Sequence, residues 1–394
     1  MMLFFIGYQW MLDTMNHWET RITNFLHQQK ESHNYRVRKI TQKYDQHLNF
    51  ASNDYLGLSK SPELIQAWQK GADKYGVGSA GSSHVSGYHE PLAQLEKELA
   101  AWLGYERAIV YSTGFAANQA LIQLLIEKED WIIADKLIHA SLAEAGINSI
   151  GTFKRFRHND LDSLNHQLSS KTENEAGALI VTEGIFSMDG DEAPLTAIAD
   201  LLKHNQNPNE WLVIDDAHGI GVHGNEGRGT CDKYNVHPDI LIVTFGKALG
   251  VSGAAILCSE QVAEYLVQRS RALIYSTAIP PAQAYALLTS IELVKKSDDR
   301  RQYLDELIQY CKSELKTLDI TNESNSAIQP IIIGSNQKSL EVSRVLTENN
   351  IWALAIRPPT VPPNSARIRL TLNANHTKEN IDELIKVLRH AMDR

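Results

Sequence analysis

Cysteine is scarce in this chain and what there is lies scattered. Cys231, Cys258 and Cys311 are far apart, with no C-x-x-C pair. That excludes a zinc knuckle or a disulfide framework and fits a reducing cytoplasm. Basic charge is in deficit: 38 Lys and Arg stand against 47 Asp and Glu, a formal charge of −9. No general attraction to nucleic acid or to an anionic membrane follows from that balance. Long hydrophobic runs are also missing. The apolar start, Met1 to Trp10, has no basic flank and is closed by Gln9 and Asp13. It is too short to span a bilayer and unlike a signal peptide. Neither G-x-x-x-x-G-K-[ST] nor H-E-x-x-H occurs, so a phosphate loop of that type and a zinc-protease helix are excluded. There are no repeats and no low-complexity linker.

What is present is a core of some size. With 394 residues, 43% of them hydrophobic, the chain is expected to fold as two lobes. Residues 1–15 read as an upstream extension outside the fold, with Met11 and Met15 as alternative starts. Residues 16–47 read as an N-terminal helical segment. Residues 48–285 read as a large cofactor-binding domain. Within it, short apolar strands (108–111, 131–134, 178–182, 211–215, 240–244) alternate with helices (92–103, 116–126, 195–204). Strands apolar on both faces predict a mostly parallel sheet covered by helices on both sides, a three-layer α/β architecture. Residues 286–394 predict a smaller α+β lobe, with strands at 331–333, 352–355 and 367–372.

Two glycine patterns match G-x-G-x-x-G, Gly76 to Gly81 and Gly219 to Gly224. A dinucleotide site needs a strand before the glycines and a helix after them. The first follows a helical segment, and the second leads into Asn225-Glu-Gly-Arg-Gly229, which cannot start a core helix. A nicotinamide-dependent oxidoreductase is therefore the weaker reading.

Several polar groups fall instead at strand ends, where ligands bind in open parallel sheets. The run Ile240 to Val243 delivers Lys247 into a loop of small residues, Gly246, Gly250 and Gly253. A lysine there suits Schiff-base chemistry, or it is a surface lysine snorkelling past a strand. Asp215 ends another apolar strand, with His218 three residues on. It could hold a protonated ring nitrogen, or cap neighbouring N–H groups. Ser187 follows the strand at 178–182 and is equally a turn residue. Gly114, in Ser112-Thr-Gly-Phe-Ala-Ala-Asn118, joins a strand to a helix start that could cradle a phosphate or be an ordinary βα turn. His139, beyond a strand, could stack flat on a ring or serve the core or surface. Lysine, carboxylate, helix-start cradle and histidine together are what a pyridoxal-phosphate site needs.

On these segments the chain resembles the α-oxoamine synthases, within the aminotransferase-like fold of pyridoxal-phosphate enzymes. The resemblance runs from about Trp18 to the last helix. It is carried by Asn49 to Leu58, Gly76 to Tyr88, Thr182 to Pro194, Asp215 to Gly219, Thr244-Phe-Gly-Lys247 and Ala355 to Pro362. It implies pyridoxal 5′-phosphate bound to Lys247, which also acts as the Cα base. It implies Asp215 on the ring nitrogen, His139 on the ring face, and Ser187 and His218 on the ring hydroxyl oxygen. Gly114, Phe115 and Thr244 would bind phosphate, with Ser276 or Thr277 reaching it from the partner of a homodimer. Arg369, assisted by Asn53, would hold the amino-acid carboxylate; an exposed strand charge is the alternative for Arg369. Arg36, Arg357 and Thr360 would contact the acyl substrate.

The Arg357-Pro-Pro-Thr360 segment and Ser187-Met-Asp-Gly-Asp191 resemble the biotin-synthesis branch of the family. That branch implies decarboxylative condensation of L-alanine with pimeloyl-CoA or pimeloyl-acyl carrier protein. A relative condensing glycine with another acyl thioester, such as 2-amino-3-oxobutyrate CoA ligase, is the alternative. One departure stands out: the family often has a histidine where this chain has Leu92, four residues before Glu96.

Overall fold

The computed structural model describes residues 16–41, 46–171 and 176–393. The extension expected at 1–15 lies outside the described residues. The strands are β1 (Leu48–Asn49), β2 (Arg107–Tyr111), β3 (Trp131–Asp135), β4 (Thr152–Phe156), β5 (Ala178–Glu183) and β6 (Glu210–Asp215). They continue with β7 (Ile240–Thr244), β8 (Ala254–Cys258), β9 (Ile328–Gly334), β10 (Ile351–Trp352), β11 (Leu354–Ile356) and β12 (Ala366–Thr371).

Seven of these form the central sheet, in the order β2-β8-β7-β6-β5-β3-β4. Pairings among β4, β3, β5, β6 and β7 are parallel, whereas β8 runs antiparallel to both neighbours. Successive residues of a strand point to opposite faces. In β7, Leu241 and Val243 join one hydrophobic cluster, and Ile240 and Ile242 join another on the opposite face. Both faces are therefore dry, which requires helices on each side. Fully burying each such side chain contributes about 1.5–3 kcal/mol. This is the three-layer architecture expected from the sequence.

The C-terminal region holds a three-stranded antiparallel sheet, β11-β12-β9, with the helices Asn336–Glu348 and Lys378–Met392 packed on one another. Two details differ from the sequence expectation. The strand expected to begin just past Pro330 begins at Ile328, and Pro330 pairs with Arg369. Proline has no N–H to give, and β9 is an edge strand, where that deficit is tolerated. The strand expected over 352–355 is split. Ile351–Trp352 pairs parallel with Leu48–Asn49, and Leu354–Ile356 pairs with β12.

The first of those pairings positions the site. It lays the segment after β1 beside β12, where Thr371 N–H donates to Phe50 O and Ala374 N–H to Tyr55 O, both at 2.8 Å. Asn53 and Tyr55 thereby face the end of the central sheet. The N-terminal helix His17–Glu31 opens with a capping box on Asn16 and Glu19. Among the described residues no helix is long and apolar enough to cross a membrane.

Candidate active site

Helix starts and strand ends converge on one cavity of about 330 Å³. It is lined by Asn53, Gly114, Phe115, His139, Asp215, His218, Thr244 and Lys247, among others. Eight of the sequence-derived site residues thus meet at one place.

The cradle is built first. Thr113 caps the helix Gly114–Leu125, its hydroxyl accepting from Ala116 N–H at 3.1 Å. A Cβ on Gly114 would stand 2.8 Å from the Thr244 methyl, so only glycine lets this helix start approach the end of β7. The Thr244 hydroxyl is buried without a partner. An orphaned donor beside a helix N-terminus is what a phosphate would satisfy. Gly219 to Gly224, in contrast, leads only into a short 3₁₀ turn, so no helix start offers itself to a dinucleotide there.

The charged groups follow. Asp215 ends β6, with one oxygen accepting from Ala217 N–H at 3.1 Å and the other from Asn118 Nδ2 at 2.9 Å. The capping alternative thus describes one of its oxygens. Asn118 also donates to Ser141 Oγ at 2.9 Å, and Ser141 Oγ lies 2.8 Å from His139 Nδ1. Because Ser141 N–H points at the same nitrogen, Nδ1 is an acceptor and the His139 proton sits on Nε2. Burial lowers the His139 pKa, with Lys247 acting in the same direction and Asp215 against it. Burial also lowers the Lys247 amine, with Asp215 and Glu183 opposing. Asp215 and Lys247 thus supply an anion and a readily neutralised amine to one cavity.

Arg369 is 8% exposed, which removes the exposed-charge alternative. Its Nε donates to Ser187 O at 2.6 Å, and both terminal nitrogens donate to Asn53 Oδ1 at 3.1 Å. Ser187 and Arg369 therefore adjoin the cavity at its Asn53 edge without lining it. Arg36, Arg357 and Thr360 line a separate cavity of about 330 Å³, where Arg36 Nη2 donates to Thr360 Oγ1 at 3.0 Å. Ser276 and Thr277 line a third, of about 200 Å³, with Tyr88, Leu92 and Glu96. Within one chain these two groups are not brought to Lys247.

Three residues escaped the sequence reading. Asn118 is 1% exposed in a helix that also carries Gln119 and Gln123, so nothing in the sequence set it apart. Glu183 ends β5 at 3% exposure, lines the cavity and leaves Oε1 unpartnered. Burial, then Asp215, pushes its carboxyl well above the usual range, while Lys247 acts against them. Tyr55 hides in the loop after β1 and touches His218.

The sequence model for aminotransferases of class I and II matches residues 45–388, and the chain belongs to that family. Among curated proteins, an 8-amino-7-oxononanoate synthase of Yersinia pseudotuberculosis is 49% identical over 381 residues, which covers 94% of this chain and 98% of its own. Among solved structures, an 8-amino-7-oxononanoate synthase from Francisella tularensis is 31% identical with a TM-score of 0.77, covering 89% of this chain and 98% of its own. A serine palmitoyltransferase from S. paucimobilis, solved with PLP, is 26% identical with a TM-score of 0.84, covering 88% of this chain and 87% of its own. The cofactor of this enzyme is pyridoxal 5′-phosphate. The orphaned Thr244 hydroxyl, the Gly114 approach and the Asp215 carboxylate fit that group.

Proposed function

We propose that this enzyme is an 8-amino-7-oxononanoate synthase, joining L-alanine to a pimeloyl thioester in biotin synthesis. The observation that carries the chemistry is the shared cavity of Lys247, Asp215 and the Thr244–Gly114 cradle. The choice of reaction within the family is supported by the 49% identity to the Yersinia enzyme over nearly its whole length.

Lys247 would hold the cofactor covalently and, once the alanine amine has displaced it, its freed amine would take the Cα proton; its desolvated, lowered pKa suits a base. The bound cofactor supplies an electron sink for the carbanion. Asp215 would keep the ring nitrogen protonated, His139 would serve the ring face, and Ser187 and His218 would bind the ring oxygen. Gly114, Phe115 and Thr244 would hold the phosphate. Arg369, oriented by Asn53, would bind the alanine carboxylate by charge through its guanidinium. Cα forms a bond to the acyl carbonyl carbon as the C–S bond breaks and the thiol leaves. The alanine carboxylate departs as carbon dioxide, and a proton returns to Cα. Exclusion of water keeps the carbanion for the thioester.

Arg36, Arg357 and Thr360 contact the acyl substrate or its carrier, either CoA or acyl carrier protein. The working unit is a cytoplasmic homodimer in which Thr277 reaches the partner's phosphate. Residues 48–285 form the cofactor-binding domain and 286–394 the small domain. The test is kcat/KM for alanine, glycine and serine against pimeloyl, acetyl, succinyl and palmitoyl thioesters. Alanine with pimeloyl thioester is expected to lead. Glycine with acetyl or succinyl thioester winning by about tenfold, a difference of roughly 1.4 kcal/mol, overturns the biotin assignment.

A further inference from the structure

Tyr55 has no part in the reaction as described, yet its phenol stands directly behind a cavity-lining histidine. The side chain is 1% exposed, and its hydroxyl lies 2.6 Å from His218 Nδ1. His218 itself is buried and lines the cavity. Burial, reinforced by the charges of Lys247 and Arg369, holds its pKa well below the ordinary value. A neutral imidazole offers one donor and one acceptor, so the Tyr55 contact decides which nitrogen faces the ligand as a donor.

Two proton arrangements satisfy 2.6 Å. If Nδ1–H donated to the phenol oxygen, the Tyr55 proton would need another acceptor. Asn53 Oδ1 is 3.4 Å away and already takes two bonds from Arg369. If instead the phenol donates to Nδ1, no group is stranded. Burial pushes the phenol up to about 12, which keeps its proton in place to donate, while Arg369 acts on it in the opposite direction by charge and a hydrogen bond.

We propose that Tyr55 is a positioning residue that fixes His218 as the Nε2–H tautomer, so that His218 presents a donor to the cofactor's ring oxygen. Arg369, Tyr55 and His218 then form one line of donors from the amino-acid carboxylate site to the ring. The choice of ring oxygen as acceptor rests on the functional reading above.

Ring-nitrogen NMR of the full chain labelled at histidine, with and without cofactor, tests this. His218→Gln assigns the resonances. The expected wild-type signature is a protonated Nε2 and a bare Nδ1. In Tyr55→Phe, an Nδ1–H population should appear, the pH midpoint of the holoenzyme's visible absorption should move, and kcat should fall roughly tenfold, more than KM rises. A wild-type proton on Nδ1 overturns the proposal, as does a Tyr55→Phe protein that keeps the wild-type tautomer. Should Tyr55→Phe fail to fold, the wild-type spectrum decides alone. A His218→Gln holoenzyme with unchanged absorption and pH dependence removes the ring-oxygen reading and leaves the tautomer assignment standing.

Discussion

Asp215 shows how little of a residue's function lies in its own identity. It matters because a buried strand ends there, beside an amine and opposite a helix start. Asp215→Asn keeps the shape and loses the charge. An amide can still accept from Ala217 N–H, but it cannot stabilise a protonated ring nitrogen. We expect kcat to fall by more than about a hundredfold, the scale of a key electrostatic partner, with cofactor retained in the absorbance spectrum. Near-normal turnover would reduce Asp215 to a cap. Gly114→Ala probes the cradle separately. Its Cβ would meet the Thr244 methyl at 2.8 Å, so either the helix start or Thr244 must shift. Cofactor affinity, read by dialysis and absorbance, should drop about tenfold or more, the loss of one charge-assisted contact. Unchanged retention would show that the phosphate sits elsewhere. Lys247, Asp215 and Gly114 were legible because strand ends and small-residue loops mark themselves in sequence. Glu183 and Asn118 were not, since a polar residue inside an apolar run looks the same whether it faces a cavity or a satisfied core partner.

At the scale of elements, the loop from Ser187 to Asp191 is held from several sides. Arg367 bonds to Asp189 and Arg369 to Ser187 O, while Ser324 and Ser326 donate to Gly190 O at 2.9 and 2.8 Å. From the other side His158 bridges Asp135, at the end of β3, and Asp191, at 2.9 and 2.7 Å. Burial works against the charge on His158, but those two carboxylates outweigh it and push the pKa up to about 10. The folded value lies above the unfolded one, near 6.5. The stabilisation is therefore complete below about pH 6.5 and is lost as pH rises through about 10. Urea unfolding of the wild type should weaken over that window. In His158→Gln the same window should flatten, and stability near neutrality should fall by about 3–5 kcal/mol as Asp135 is left buried without its cation. An unchanged pH slope in the variant would remove the clamp. No sequence pattern joins residues 135, 158 and 191; only the fold does. Strand direction was equally hidden. Ala254–Cys258 is as apolar as its neighbours, and burial on both faces carries no mark of the one antiparallel strand. The split at Ala353 was hidden too, because Ile351 to Ile356 reads as one apolar run while its halves join different sheets.

For the whole molecule the decisive question is where the site ends. Within one chain, Thr277 opens onto a different cavity from Lys247. The surface around it is unusually apolar for a face left in water: Tyr275 is 73% exposed, Val85 84%, Val77 83% and Tyr88 50%. The two segments that carry these residues meet, because Ala278 N–H donates to Gly81 O at 3.0 Å, and His84 Nε2 contacts Val267 O at 2.7 Å. A second copy of the chain, related by two-fold symmetry, would cover that patch on both subunits and carry each Thr277 toward the other's cradle. The consequence is a complementation experiment. Lys247→Ala should be inactive at its own lysine. Thr277→Glu sets a carboxylate where the partner's phosphate should sit and should be nearly inactive as well. After mixing and subunit exchange, a hybrid dimer carries both lesions in one site and none in the other. About a quarter of all sites should then recover, as random pairing of a two-fold dimer requires. Recovery should track hybrid formation measured by native mass spectrometry. If Thr277 acts within its own chain, each site of the hybrid keeps one lesion and mixing restores nothing. That outcome, or full activity in a sample shown by sedimentation to be monomeric, would place the complete site within a single chain.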